Sequence, residues 1–475
     1  MKQCSLWQIL LVLVLGLSSF ALELPSFFTD NMVLQRDSEV RIWGKAAPGS
    51  QVVVSFAGQS SQATANADGK WLAKLQPMTA SAQGRELQVT GDGTTKTFSD
   101  VLVGDIWLCA GQSNMQWALR NTNNVADIIA ASGKDTIRLL SIPLVWSRDP
   151  KDDVKGSWVA ANPETSARFS SVGYLVGQQL ASETSVPMGL IMIAWGGCRV
   201  ESMSRLDSFD RFPSLKQVGE AVRNGVADMK AKKDEELRKD KQRLPTALYN
   251  AMVHPLGPMA VKGMLWYQGE DNHYEGAIYG EKLKALALSW RECFQNPTLP
   301  IYIVQIPPWQ YGNEDPTKIP NFWLAQQTFA ESDPNAYFIV TTDCGQADDI
   351  HPRTKIPLAR RLANQVLFKS YGIGDDSAMP PTFKSAEVKD DKVIVSFNLP
   401  NGLKSRDGNP ITFLTLAGAD GIYHEATGFA QNDQLIVSSP EVKTPAMIRF
   451  GWHKLAMPNL VNRAGHPVAP FEQKL

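Results

Sequence analysis

Two short segments, about 240 residues apart, carry residue types that together can do acyl-transfer chemistry. The first is Val103-Gly104-Asp105-Ile106-Trp107-Leu108-Cys109-Ala110-Gly111-Gln112-Ser113-Asn114-Met115, an apolar run ending in small and polar residues. A buried strand of this kind delivers its last side chains to the C-terminal edge of a sheet, where α/β proteins place their chemistry. Ser113 sits in that turn, but a serine hydroxyl is a weak nucleophile without a base in hydrogen-bond reach. The second segment, Asp348-Asp349-Ile350-His351-Pro352, offers an imidazole preceded by carboxylates at two and three residues. Gly111 and Asn114 flank Ser113 with a small backbone and a polar group, as an oxyanion or substrate site needs. By itself, Gly-Gln-Ser-Asn also reads as an ordinary polar turn. The distant Asp/His segment gives it chemical meaning.

The elements that must position these residues fall into three stretches. Residues 22–99 alternate in polarity, as in Val40-Arg41-Ile42-Trp43 and Gln51-Val52-Val53-Val54-Ser55-Phe56, with turn signals such as Ala67-Asp68-Gly69 between runs. Period two with this punctuation predicts a small β-sandwich. Residues 100–375 change to strand–helix alternation. Strands are predicted at 105–110, 136–142, 188–195, 261–266, 300–306 and 337–342, and helices at 170–183, 279–294, 322–330 and 355–368. Near-continuous apolar strands between helices predict a parallel sheet covered on both faces. A charge-dense stretch near 223–243 interrupts this domain and reads as a solvated helical excursion, with a cap over the site as the alternative. Residues 376–475 return to short β-like runs rich in Gly and Pro, a second β-rich module.

Composition narrows the partners. The chain has 475 residues, 47 Lys and Arg against 48 Asp and Glu, and a formal net charge of -1. That balance offers no electrostatic attraction to nucleic acid or an anionic membrane. The 13 tryptophans suit stacking on sugar faces, although most tryptophans serve the core. Met1-Lys2-Gln3, an apolar run from Ile9 to Leu17, and small residues at Ser19-Phe20-Ala21 read as a secretory signal peptide over 1–21. The expected product is exported, periplasmic or extracellular, and leaves the membrane after cleavage. Four cysteines scattered through such a mature chain are not a disulfide framework; one bridge or none is expected.

Four segments carry a family resemblance in their order and spacing. They are Trp107 to Trp117 around Ser113; Ala194-Trp195-Gly196-Gly197-Cys198-Arg199-Val200-Glu201; Trp266-Tyr267-Gln268-Gly269-Glu270-Asp271-Asn272; and Asp348 to Pro352. Pro245-Thr246-Ala247-Leu248-Tyr249-Asn250-Ala251-Met252 adds a fifth. Together these resemble the bacterial sialate O-acetylesterases of the SGNH hydrolase superfamily. The resemblance implies a flavodoxin-like parallel sheet and a serine esterase without metal or cofactor, acting on an O-acetylated sugar or glycan. The favoured substrate is 9-O-acetylated sialic acid, with acetylated xylan or xyloglucan as the alternative. A non-catalytic carbohydrate-binding protein would not require the Ser/His constellation. A classical α/β-hydrolase would need the Gly-X-Ser-X-Gly elbow, whose second glycine is absent here.

On this reading Ser113 is the nucleophile and His351 the general base, then acid. The group orienting His351 is left open between Asp348, at the superfamily's usual three-residue offset, Asp349, and a backbone carbonyl. The oxyanion donors expected are the N–H groups of Ser113 and Gly197 and a side-chain amide, Gln268 or alternatively Asn272. Asn114, Arg199 and Glu270 are candidates at the substrate cleft. Glu270 also reads as a loop brace, and Arg199 with Glu201 as a surface ion pair. His351 is expected to titrate near ~6.5, or higher with a carboxylate partner.

Overall fold

The computed structural model describes residues 21–134, 136–237 and 239–475. All but the last residue of the 1–21 leader expectation lies outside the described residues. The centre is a sheet of six parallel strands: β1 (Thr94–Gly111), β2 (Ile137–Ser141), β3 (Met188–Ala194), β4 (Gly263–Tyr267), β5 (Ile301–Val304) and β6 (Ala336–Ile339). Their spatial order is β6-β5-β4-β1-β3-β2, extended past β2 by a short antiparallel strand, Val159–Ala160. Chain order therefore reverses at β1. A reversal of this kind opens a crevice beyond the carboxyl ends of the strands, the usual ligand position in open α/β sheets.

The near-continuous apolar strands are explained by burial on both faces. Ile106, Leu108 and Ala110 of β1 join one apolar cluster, while Trp107 and Cys109 join another. The first cluster is closed by helices α4 (Ala277–Cys293) and α5 (Lys318–Ser332), through Leu283, Trp290, Phe322 and Trp323. The second is closed by α2 (Ser171–Thr184) and α6 (Ile356–Val366), through Val172, Val176, Leu358 and Leu362. Each fully buried Leu, Ile or Val side chain stabilises such a core by about 1.5–3 kcal/mol. Each predicted strand and helix of this domain is present with ends shifted by up to a few residues, except that the strand expected at 105–110 begins eleven residues earlier, at Thr94.

The flanking modules join this domain differently. β1 is 18 residues long. Its first half pairs with Ser81–Gly91 in the N-terminal module, and its second half is the central strand of the site. The division expected at 99/100 falls inside one continuous strand, which passes there from a largely exposed half to a wholly buried one. The C-terminal module has its own core around Val393, Leu416, Val437, Ile448 and Phe471. It contains two four-stranded antiparallel sheets. Its buried Lys454 donates to the carbonyls of Gly312 (2.6 Å) and Glu314 (3.2 Å), bracing a loop of the central domain. Cys109, Cys198, Cys293 and Cys344 are all free thiols.

The charged excursion contains helix α3 (Lys216–Ala231) and a short 3₁₀ turn, Lys241–Arg243. Ion pairs of Arg148 with Asp234 and of Lys230 with Asp149 tie it to the loop after β2. Its end does more than meet solvent. Gln242 lies beside Gly197, and Arg243 pairs with Asp271.

Candidate active site

The site begins where β1 ends. Gly111 has φ +143°, and a Cβ there would lie 2.1 Å from the Tyr267 carbonyl oxygen of neighbouring β4. Only glycine lets the chain turn so tightly against the next strand. The Gln112 N–H then donates to the same Tyr267 carbonyl (3.0 Å), and its side-chain oxygen accepts from the Gly269 N–H (3.1 Å). One helical turn, α1 (Ser113–Gln116), follows. (The larger helices keep the numbers given above.) The loop after β3 is pinned to the same place, with Trp195 donating to the Gly111 carbonyl (3.1 Å) and Gln116 accepting from the Gly196 N–H (3.0 Å). A Cβ on Gly196 would sit 3.3 Å from Ser113 Cβ, so this turn lies directly against the nucleophile candidate.

His351 is held against the turn that carries Ser113 by Asn114, the next residue on α1, and by Trp117, the residue that ends it. Trp117, one turn after Ser113 and therefore on its face of the helix, stacks on the His351 ring at 5.3 Å and 14°. Asn114 donates to the carbonyl of Ile350 (3.0 Å), the residue before His351. Ser113 Oγ makes no hydrogen bond among the described residues, and it remains uncommitted. Catalytic hydrogen bonds are often long before substrate binds.

The aspartates separate clearly. Asp348 is exposed and accepts from the side chain of Gln346 (3.0 Å). Asp349 Oδ1 accepts the backbone N–H of His351 (2.8 Å) and lies 3.9 Å from its Nδ1. Of the alternatives left open from sequence, the aspartate at His351 is therefore Asp349, and Asp348 is not beside the ring. The carboxylate two residues before a group can fold back in a local turn onto that group's N–H, and this places Asp349 under the ring while Asp348 points away. Asp349→Asn should lower aryl-acetate turnover at least about tenfold, whereas Asp348→Asn should stay within about twofold of wild type. Equal kinetics for the two variants would remove Asp349 from the site.

The oxyanion expectation also needs correction. Gln268 is fully buried; its amide donates to the Cys198 carbonyl (2.9 Å) and Asn272 (2.8 Å), and its oxygen accepts from Tyr279 (2.7 Å). Asn272 is equally buried, accepting from Val200 N–H (3.1 Å) and donating to Glu201 and Glu275 (both 3.1 Å). Both amides are spent holding the loops after β3 and β4 together, because a buried amide left unpaired costs about 1–3 kcal/mol. Neither is free to meet a substrate oxygen. The N–H groups of Ser113 and Gly197 make no hydrogen bond among the described residues, and Gly197 has the left-handed φ of +71°.

Asn114 does not face the cleft either. It is fully buried and bridges opposite charges, donating to Glu270 (2.6 Å) and accepting from Lys355. Glu270 is thus a brace, its carboxyl raised above the usual range by burial. Lys355 is 1% exposed, lies 5.3 Å over the Tyr267 ring, and burial lowers its ammonium to about 8. Burial first, and then the Lys355 charge, lower His351 below its ordinary value. The upward shift expected from a carboxylate partner is not found, because those two effects outweigh Asp349.

Arg199 stands at the mouth, paired with Asp271 (2.8 Å) rather than with Glu201, whose partner is Lys282. Arg243 binds the same Asp271. Gln116, Trp117, Gln242 and Lys355 were not assigned from sequence. Trp117 and Gln116 lie one helical turn from Ser113, a signal that was available. Lys355 and Gln242 carried none.

A family description, carbohydrate esterase, sialic acid-specific acetylesterase, matches residues 103–368. The sialate O-acetylesterase of Mus musculus is 27% identical over 414 residues, covering 76% of this chain and 76% of its own. That of Homo sapiens is 28% identical, covering 73% and 71%. The crystal structure of a carbohydrate acetylesterase from Xanthomonas citri superimposes with a TM-score of 0.86 at 32% identity, covering 95% of this chain and 99% of that one.

Proposed function

The chain belongs to the sialic acid-specific acetylesterase family of carbohydrate esterases, and from that premise we propose that Ser113 and His351 remove O-acetyl groups from sugar hydroxyls through an acyl-enzyme. The observation that supports this reading is a neutral-leaning imidazole held by Trp117 and by the Asn114 bond to Ile350, two residues of the same turn that carries the uncommitted Ser113. The strand order, reversing at β1, is compatible with an SGNH-type domain.

Ser113 Oγ attacks the acetyl carbonyl while His351 takes its proton. The carbonyl electrons move onto oxygen, where the N–H groups of Ser113 and Gly197 hold the charge. Collapse breaks the bond to the sugar oxygen, which receives the proton from His351 and leaves as the free hydroxyl. Water then gives a proton to His351 and attacks the acetyl-serine; acetate departs and the proton returns to Ser113. The whole cycle uses only these side chains, N–H groups and water.

The favoured substrate is 9-O-acetylated sialic acid. At the mouth Arg199 and Arg243 both pair with Asp271, and Arg243 also with Asp240; guanidiniums are suited to bidentate contact with a sialate carboxylate. Acetylated xylan or xyloglucan is the second reading, favoured by Tyr274, half exposed beside Arg199 and able to stack on a neutral ring. The leader-like residues 1–21 support export to the periplasm or beyond. Acetate release should be compared among 9-O-acetylated sialic acid, acetylated xylan, acetylated xyloglucan and an aryl acetate. Preference for either polysaccharide over the sialate would reverse the order of the two readings, and no release from any acetylated sugar would end both.

The pH profile follows from His351. The base must be neutral, and its proton affinity is lowered by burial and by Lys355. The neutral fraction therefore stays high until the pH falls below the ordinary ~6.5, and kcat/KM should be halved only at a pH below that value. A midpoint above 6.5 would contradict the geometry.

A further inference from the structure

Away from Ser113, a cavity of about 460 Å³ opens between the N-terminal module and the central domain. This is within the ~300–1,000 Å³ common for small-molecule sites. None of the residues placed around Ser113 lines it. Trp43 and Trp71 form part of its wall. Trp43 is propped edge-on by Phe28 (ring centroids 5.0 Å apart, 83°) and supported by Phe27 (5.9 Å). Trp71 is 3% exposed, and its indole N–H has no hydrogen-bond partner among the described residues.

The charged lining holds three carboxylates, Glu23, Asp152 and Asp153, beside two ammoniums, Lys45 and Lys70. Lys45 and Lys70 converge on Asp152 at 3.0 and 3.2 Å. Asp153 is already spent on the N–H and hydroxyl of Ser26. His254 Nδ1 meets the Lys151 carbonyl at 2.9 Å, within the same lining. Gly44 keeps this region bare: a Cβ there would come within 2.0 Å of the Glu23 carbonyl oxygen and 3.0 Å of the Trp71 ring. A propped indole at Trp43 beside hydrogen-bonding side chains fits a ligand with an apolar face and many hydroxyls.

We propose that this cavity is a second carbohydrate site, which binds a neutral, unacetylated oligosaccharide segment. A glycan held here and also offered to Ser113 gains effective concentration at the ester. That advantage rests on the esterase reading; the binding does not.

The test is a calorimetric titration of the full chain with unacetylated xylohexaose, a xyloglucan oligosaccharide and a neutral N-acetyllactosamine oligomer, which contain no ester to hydrolyse. At least one should bind. Trp43→Ala should weaken that binding tenfold or more while aryl-acetate kcat/KM stays within twofold of wild type. Trp43→Phe, which keeps a ring on the same support and loses only part of the stacking face, should weaken it about threefold or more with unchanged thermal unfolding, and it decides the matter if Trp43→Ala does not fold. Absence of binding to all three sugars, unchanged affinity in Trp43→Phe, or binding confined to an anionic sialyl-oligosaccharide would each overturn the proposal. Loss of aryl-acetate turnover in wild type with retained sugar binding would instead overturn the esterase reading and leave this site standing.

Discussion

Ser113→Ala is expected to lower turnover of an aryl acetate by roughly ten-thousand-fold or more, and His351→Ala to do the same, with thermal unfolding unchanged in both. Ser113 Oγ makes no structural hydrogen bond among the described residues, so removing it leaves no buried group unpaired. His351 loses its stacking on Trp117 but is part-exposed, so its replacement costs little stability. The two act as one unit: the serine is a poor nucleophile without the base, and the base has nothing to deprotonate without the serine. The double variant should therefore be hardly slower than either single one. Turnover within tenfold of wild type for either single variant would remove the pair from the chemistry. A double variant slower by the product of both effects would mean that they act independently.

How much of this site was legible in sequence depends on which force fixed each residue. Ser113, His351 and Gly197 could be found because strand periodicity places them at carboxyl ends of predicted strands, and a glycine beside a strand end signals close backbone approach. The central strands were legible for the same reason, since burial on both faces leaves near-continuous apolar runs. The direction of an amide inside a loop was not. Gln268 and Asn272 have the composition of oxyanion donors, yet Cys198, Val200 and Glu201 meet them from the loop after β3, while Tyr279 and Glu275 close them from the segment that follows. Pairing among residues so far apart is set by tertiary packing, which local pattern does not encode. The choice between Asp348 and Asp349 turned on one local turn. The depressed proton affinity of His351 depended on Lys355, whose burial only the folded sheet determines.

The Glu270–Asn114–Lys355 bridge gives the second large effect. Asn114→Ala should lower stability by about 3–5 kcal/mol, because it leaves a buried carboxyl and a buried ammonium without their shared partner. It should also cut kcat roughly a hundredfold, since the lost bond to Ile350 is one of the ties setting His351 against Ser113, and misplacement by about 1 Å costs that much. KM should change little, because Asn114 is buried beneath the site and does not face the cleft. Lys355→Met separates the two consequences. It removes the charge that, after burial, most lowers His351, so the acid limb of kcat/KM should move upward toward the ordinary histidine value while the Ile350 bond persists. Asn114→Ala with wild-type kcat would show that Trp117 alone positions the imidazole. An unmoved acid limb in Lys355→Met would leave burial as the whole cause of the shift, and Lys355 as a structural cation only.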